Sequence, residues 1–232
     1  MADESVPSTT PADGFEPAPE PEQAQTPAPP PPAPREPQAA LRLVGGAGRI
    51  ELRADDTVEE LYRASYEPAT PDVTLETDRV TVRYALHRLL GRISSTTETV
   101  SRFALSTRQP WDIAAPDGVT ALDADLAGVR ILGLRIGHGA GAVKLRLGRP
   151  LGTVPIVIGG GSTEVIIFRP AGIYVRVSTQ GDVTRVVVDG GRAIGPLSGS
   201  TSVEPPGYAL SEDRYDISVT GGCASLLVAT EP

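Results

Sequence analysis

Residues 139–188 read GAGAVKLRLGRPLGTVPIVIGGGSTEVIIFRPAGIYVRVSTQGDVTRVVV. Val143, Leu145 and Leu147 alternate with Lys144 and Arg146, and Val154, Ile156 and Ile158 follow in the same rhythm. Period-2 alternation sends one row of side chains inward and the next into solvent. Glycines punctuate the runs and mark tight turns. Arg149-Pro150-x-Gly152 recurs 20 residues later as Arg169-Pro170-x-Gly172, and Gly141, Gly161 and Gly181 keep that spacing. Val143, Leu145 and Leu147 then align with Thr163, Val165 and Ile167. Past the Arg-Pro-x-Gly turn, Val154, Ile156 and Ile158 align at 19 residues with Ile173, Val175 and Val177. That leaves Thr153 as an extra residue, in the turn or as a bulge.

Each unit thus predicts two strands, ~17–20 Å long, and two glycine turns. One unit cannot bury its own apolar rows, but neighbours stacked ~4.8 Å apart pair their backbones and close a continuous core. The expected fold is all-β: a flattened solenoid, or rack, of stacked strands with glycine turns along its edges. An antiparallel β-sandwich is the alternative.

The pattern extends in both directions. Leu41, Leu43, Ile50 and Leu52 alternate with Arg42, Arg49, Glu51 and Arg53 around Gly45, Gly46 and Gly48. Residues 55–66 fit a helical turn or a strand. Val73–Glu76 and Arg79–Tyr84 predict a hairpin turning at Thr77-Asp78. Residues 85–102 are the least strand-like part, where Leu86, Leu89 and Leu90 have helical spacing and Gly91 stops a helix, so a short helix or loop insertion is expected. Phe103 to Ile113 resumes as strand around Trp111, the only tryptophan, expected to anchor a core or an edge. Leu122, Ala124 and Leu126 alternate with Asp123 and Asp125, and Ile131–Ile136 leads into Gly137-His138-Gly139-Ala140-Gly141.

Residues 1–38 are a different kind of chain. They hold 12 of the 23 prolines and seven acids against the single base Arg35. Such a segment buries too little apolar surface to offset its ordering entropy and predicts a disordered, acidic, Pro/Ala-rich tail. The β-body is then 39–232. The tail carries −6 of the total charge of −8, which leaves the body near neutral. A near-neutral body argues against nucleic acid as a partner, because phosphate recognition needs a basic footprint. With one cysteine, Cys223, no intrachain disulfide forms. No basic and apolar leader and no run of ~18 apolar residues is present. A cytoplasmic location without direct membrane insertion is therefore expected, with any envelope contact made through a partner.

The body resembles the bacterial toast-rack and adhesin-like β-domains, of the type found in LiaF-like cell-wall-antibiotic-response proteins. The resemblance rests on GAGRIEL (46–52), WDIAAPDGV (111–119), LDADLAGVRILGLRIGHGAGAVKLRLG (122–148), FRPAGIYVRVSTQGDVTRVVVDG (168–190) and YALSEDRYDISVTGGCASLLV (208–228). It covers roughly residues 40–230 and departs at 85–102. The transmembrane helices of LiaF-like members have no counterpart. The resemblance implies a non-enzymatic protein: an adhesion-like surface, or a modulator of envelope-stress signalling, with an unidentified protein partner.

Candidates for chemistry read more simply as structure. The 137–141 glycines lack the spacing, following helix and Lys-Ser/Thr of a phosphate loop. His87 and His138 are the only histidines. A zinc site would need further ligands, with Asp123 and Asp125 the nearest in sequence to His138. Asp123, Asp125 and Glu164 are the carboxylates that could serve glycoside hydrolysis, but an outward charged row is the ordinary reading. Cys223 has no basic neighbour to activate it. Ser198–Ser202 reads as loop. Lys144, Glu164 and Thr184 align as an outward row, with Lys144 and Glu164 a favourable cross-strand pair. No catalytic, metal or cofactor residues are expected. A carbohydrate-binding module is the second reading, and it would need Trp111, Tyr174 and Tyr208 exposed.

Overall fold

The computed structural model describes residues 37–84 and 99–231. Among the described residues seventeen strands run in chain order: β1 Ala39–Val44, β2 Ala47–Asp55, β3 Tyr62–Glu67, β4 Asp72–Leu75, β5 Arg79–Arg83, β6 Val100–Ser106, β7 Trp111–Ala115, β8 Val119–Leu126 and β9 Ile131–Ile136. They continue as β10 Ala140–Leu147, β11 Thr153–Ile158, β12 Ser162–Arg169, β13 Tyr174–Gln180, β14 Val183–Val188, β15 Ser200–Val203, β16 Arg214–Thr220 and β17 Cys223–Thr230. A 3₁₀ turn at Tyr208–Leu210 is the one helical piece among the described residues.

The strands fall into two sheets, and successive strands alternate between them except for β2/β3, β4/β5 and β15/β16, each of which stays in one sheet. One has the order β15-β13-β16-β11-β9-β7-β1-β5-β4 and the other β14-β17-β12-β10-β8-β2-β6-β3. Each rung of the rack is one strand from each sheet. Neighbouring rungs pair in parallel; among the described residues the antiparallel strand pairings involve β3, β4 and β15 at the ends, and β14 makes two antiparallel bridges, Val183 to Leu197 and Val186 to Ile194. The antiparallel sandwich is thereby excluded. The fold is the stacked-strand rack.

The core lies between the sheets as stacked apolar rows. In one sheet Ile50, Leu122, Val143, Val165, Leu226 and Val186 stand side by side on successive strands, all buried. In the other, Leu41, Ile113, Leu134, Ile156, Ile217 and Val177 do the same. Burying one such side chain contributes ~1.5–3 kcal/mol, so these rows are what a lone rung lacks. Trp111 caps a turn within this core: it is fully buried, and its indole N–H donates to the Ser106 carbonyl at 2.9 Å.

The rack departs from sequence order near each end. The rung β16/β17 is inserted between β11/β12 and β13/β14, and β1/β2 lies between β5/β6 and β7/β8. The third repeat unit therefore stacks on the C-terminal rung and not on the second unit. The register also differs from the sequence alignment by two residues. Val143 lies opposite Val165, not Thr163, and the row through Val154 continues to Tyr215 and then Val175, not Ile173. A slip of two preserves which side chains face inward, so alternation cannot detect it.

Three further expectations change. Gly141 is not a turn residue but lies within β10. Residues 100–102 belong to β6, in register with β2, so the insertion does not extend that far, and its remainder, 85–98, lies outside the described residues. Ser200–Val203 is a strand, not a loop. The ambiguous 55–66 segment resolves as a turn leading into β3, and the hairpin turning at Thr77-Asp78 is β4 and β5.

Candidate functional site

The turns β1–β2, β7–β8, β9–β10, β11–β12 and β16–β17 lie along one edge of the rack, and hydrogen bonding between rungs continues through them. The Ala47 N–H donates to the Gly118 carbonyl at 3.2 Å, Val119 to Gly139 at 3.1 Å, Ala140 to Gly161 at 3.0 Å and Ser162 to Gly222 at 3.0 Å. Glycine is required here twice over. Gly118 and Gly139 have φ of 81° and 106°. A Cβ on Gly118 would lie 2.7 Å from the Gly139 carbonyl oxygen, and one on Gly139 would lie 2.7 Å from that of Gly160.

The bare edge forms an open trough of about 840 Å³, whose polar side chains include Thr99, Asp117, Thr120, His138, Ser162 and Thr163. Two of these side chains fasten one rung to the next. The Asp117 carboxylate accepts the Gly45 N–H at 2.8 Å. His138 Nδ1 lies 2.7 Å from the Pro116 carbonyl oxygen, which can only accept, so Nδ1 carries a proton. The cluster at 137–141 is thus a structural turn, and its histidine holds the preceding turn.

The carboxylates considered from sequence are not brought to His138. Asp123 and Asp125 lie on the outer face of β8, four and six residues beyond its first residue, bonded at 3.0 Å to Arg53 and Arg146 respectively. Glu164 faces Ala142, and Lys144 faces Asp123 and Ile166. The expected Lys144–Glu164 pairing is therefore not made, a consequence of the two-residue slip. Among the described residues no group of three or more His, Cys, Asp or Glu is placed to hold a metal, and His87 lies outside those residues. Cys223 is buried, with its thiol directed at the Ser225 carbonyl, and burial pushes its pKa up.

The outer faces carry ion pairs between adjacent strands. Arg102 on β6 reaches Glu51 on β2 at 3.2 Å and Glu67 on β3 at 2.9 Å. Arg53 spans from β2 to β8, Arg146 from β10 to Asp125 and Glu231, Arg135 from β9 to Asp112, and Arg176 from β13 to Asp216. Exposed pairs contribute only ~0.2–1 kcal/mol each, so these faces are solvated, charge-balanced surfaces.

Two features escaped the sequence reading. Arg169 sits on the inward side of β12, almost wholly buried, with one guanidinium nitrogen 2.5 Å from Asp189. Its place two residues beyond Ile167 put it in the inward row, a signal hidden by the Arg-Pro-x-Gly turn motif. Tyr208 has two guanidinium groups over its ring, those of Arg176 and Arg214, 5.2 and 4.8 Å from its centre. Of the aromatics considered for sugar binding, Trp111 and Tyr208 are buried and Tyr174 is 38% exposed.

No family model matches the chain, and no curated protein matches it. A solved structure, described as a "putative cell adhesion protein from Clostridium sporogenes ATCC 15579", superimposes with a TM-score of 0.63 over 84% of this chain and 93% of that one. At 18% sequence identity this likeness is one of fold: the chain shares the rack architecture of that protein.

Proposed function

We propose that this protein is a non-catalytic scaffold of adhesin-like type that presents a rigid β-rack surface to a protein partner, within a cell-envelope stress-signalling system. The observation that carries this reading is where the polar groups go. The interior is packed with apolar rows, the trough's Asp117 and His138 fasten turns, and Arg53, Arg102, Arg135, Arg146 and Arg176 on the faces pair with acids of adjacent strands. What remains is an extended, stiff outer surface. The adhesion description of the structural neighbour and the resemblance to LiaF-like domains support the same reading. The near-neutral body and its mixed-charge faces favour protein over nucleic acid as partner.

Carbohydrate binding is the weaker reading, because sugar platforms need exposed rings and Trp111 and Tyr208 are buried. The test is retention of envelope material on the immobilised full chain. Saturable binding of solubilised envelope proteins that is lost after protease treatment is the expected result. Protease-resistant retention of purified peptidoglycan or polysaccharide, or no retention of either material, overturns the proposal.

A further inference from the structure

Among the described residues β4 is the outermost strand of its sheet, and all four of its residues are exposed. Its pairing with β5 fixes which backbone groups are free. Glu76 and Arg79 exchange both backbone hydrogen bonds, at 2.8 and 3.4 Å, and the register runs Leu75–Val80, Thr74–Thr81, Val73–Val82, Asp72–Arg83. Opposed residues in an antiparallel ladder alternate between bonded and non-bonded pairs. Thr74 and Asp72 are therefore bonded to β5, while the N–H and C=O groups of Val73 and Leu75 point to the open side.

The side chains of this strand sort by face. Val73 and Leu75 share a face with Val80 and Val82, which are fully buried, so they continue the inward apolar row. They are nonetheless 38% and 60% exposed, because among the described residues no further strand follows. On the outward face stand Asp72, Thr74 and Glu76. The strand already seated on the closed side of β4 is Arg79-Val80-Thr81-Val82-Arg83. It sets Arg79 and Arg83 opposite Glu76 and Asp72, with an Arg79–Glu76 ion pair at 3.7 Å. The open side offers the same acidic positions and the same apolar row.

We infer that the β4 edge is a docking site for an extended protein segment in which apolar residues alternate with polar ones and basic residues lie opposite Asp72 and Glu76. The partner adds a strand: its backbone bonds to Val73 and Leu75, its apolar side chains extend the core row, and its cations meet the two acids. The other outer strands fit this less well. β15 presents Ser200, Thr201 and Ser202 at its edge, β14 is already bridged by Ile194 and Leu197, and no residue of β3 carries exposed apolar surface of this size. The inference deepens the scaffold reading by naming where the protein partner binds.

The probe is an acetylated and amidated peptide with the sequence of residues 78–84, added in excess to the isotope-labelled full chain. Amide hydrogen exchange is followed residue by residue. Exchange at Val73 and Leu75 should slow at least tenfold, while Thr74, already bonded to Thr81, changes little. A peptide with glutamate in place of both arginines should have no effect. Leu75→Lys, which keeps the backbone but removes the apolar seat and adds a like charge, should abolish the protection, as should Val73→Pro.

Absence of protection, equal protection by the acidic peptide, or protection of the trough turns instead overturns the inference. So does protection of Val73 and Leu75 that grows with protein concentration alone, which would make a second copy the occupant. Envelope-protein retention without β4 protection removes this site and leaves the scaffold reading standing. Protection without retention does the reverse.

Discussion

At the scale of single residues, the glycines divide into two kinds that the sequence does not distinguish. Gly139 needs a positive φ and also sits where the next rung's backbone passes within reach of a Cβ. Gly152 needs a positive φ of 72°, but a Cβ there would meet nothing within 4 Å. Gly152→Ala should therefore cost only left-handed strain, about 1–2 kcal/mol. Gly139→Ala should cost about 3 kcal/mol or more, because a packed backbone must also shift. Urea midpoints of the two variants check this, and equal losses would mean that the trough edge is not held by close rung contact. Arg169 and Asp189 show the limit of residue-by-residue reading. An arginine in a repeated turn phrase occupies a core position, held there by the Pro170 carbonyl and by a carboxylate 20 residues away.

At the scale of elements, most strands were legible because alternation and glycine turns act within a few residues. Leu122–Leu126, Val143–Leu147 and the β4–β5 hairpin all follow from local pattern. Register and rung order were not legible. Thr163 and Val165 have the same parity, so shifting β12 by two leaves its inward face intact, and only the rung-to-rung bonds of the turns select Val165. β15 was missed because a serine- and threonine-rich run carries no apolar alternation; its role is to cover an edge. Gly181 N–H bonds to Gly199 at 2.9 Å, and Thr179–Thr201 continue that ladder as a bonded pair. Thr201→Pro removes the central donor and should uncover β13, giving concentration-dependent association by analytical ultracentrifugation. A variant that stays monomeric at the highest concentrations reached would show that β15 is not a guard. The trough was legible only as glycines: that Asp117 and His138 fasten neighbouring turns depends on rungs that sequence could not order.

At the scale of the whole molecule, stability rests on one continuous interior, and its buried phenols tie that interior to pH. Burial pushes Tyr84 up to about 12, opposed in part by its bond to Ser101, and pushes Tyr66 and Tyr215 up as well. A phenol whose folded pKa exceeds its unfolded value of ~10 keeps its full contribution below pH ~10. That contribution is lost as pH rises through the folded value. With the buried Cys223 thiol adding a smaller loss from about pH 8.5, the melting temperature should be level between pH 7 and 8 and fall steeply between 10 and 12. A flat profile to pH 12 would contradict the burial of these rings. The central claim is that the C-terminal rung is inserted within the rack, with β17 beside β12. Ser162 and Cys223 stand opposite each other in that pairing, and Cys223 is the only cysteine. Mild oxidation of the Ser162→Cys variant, followed by thiol counting and peptide mapping, tests it most directly. The account predicts an intramolecular 162–223 disulfide with no free thiol in a folded monomer. Two free thiols, or linkage only between molecules, would contradict it.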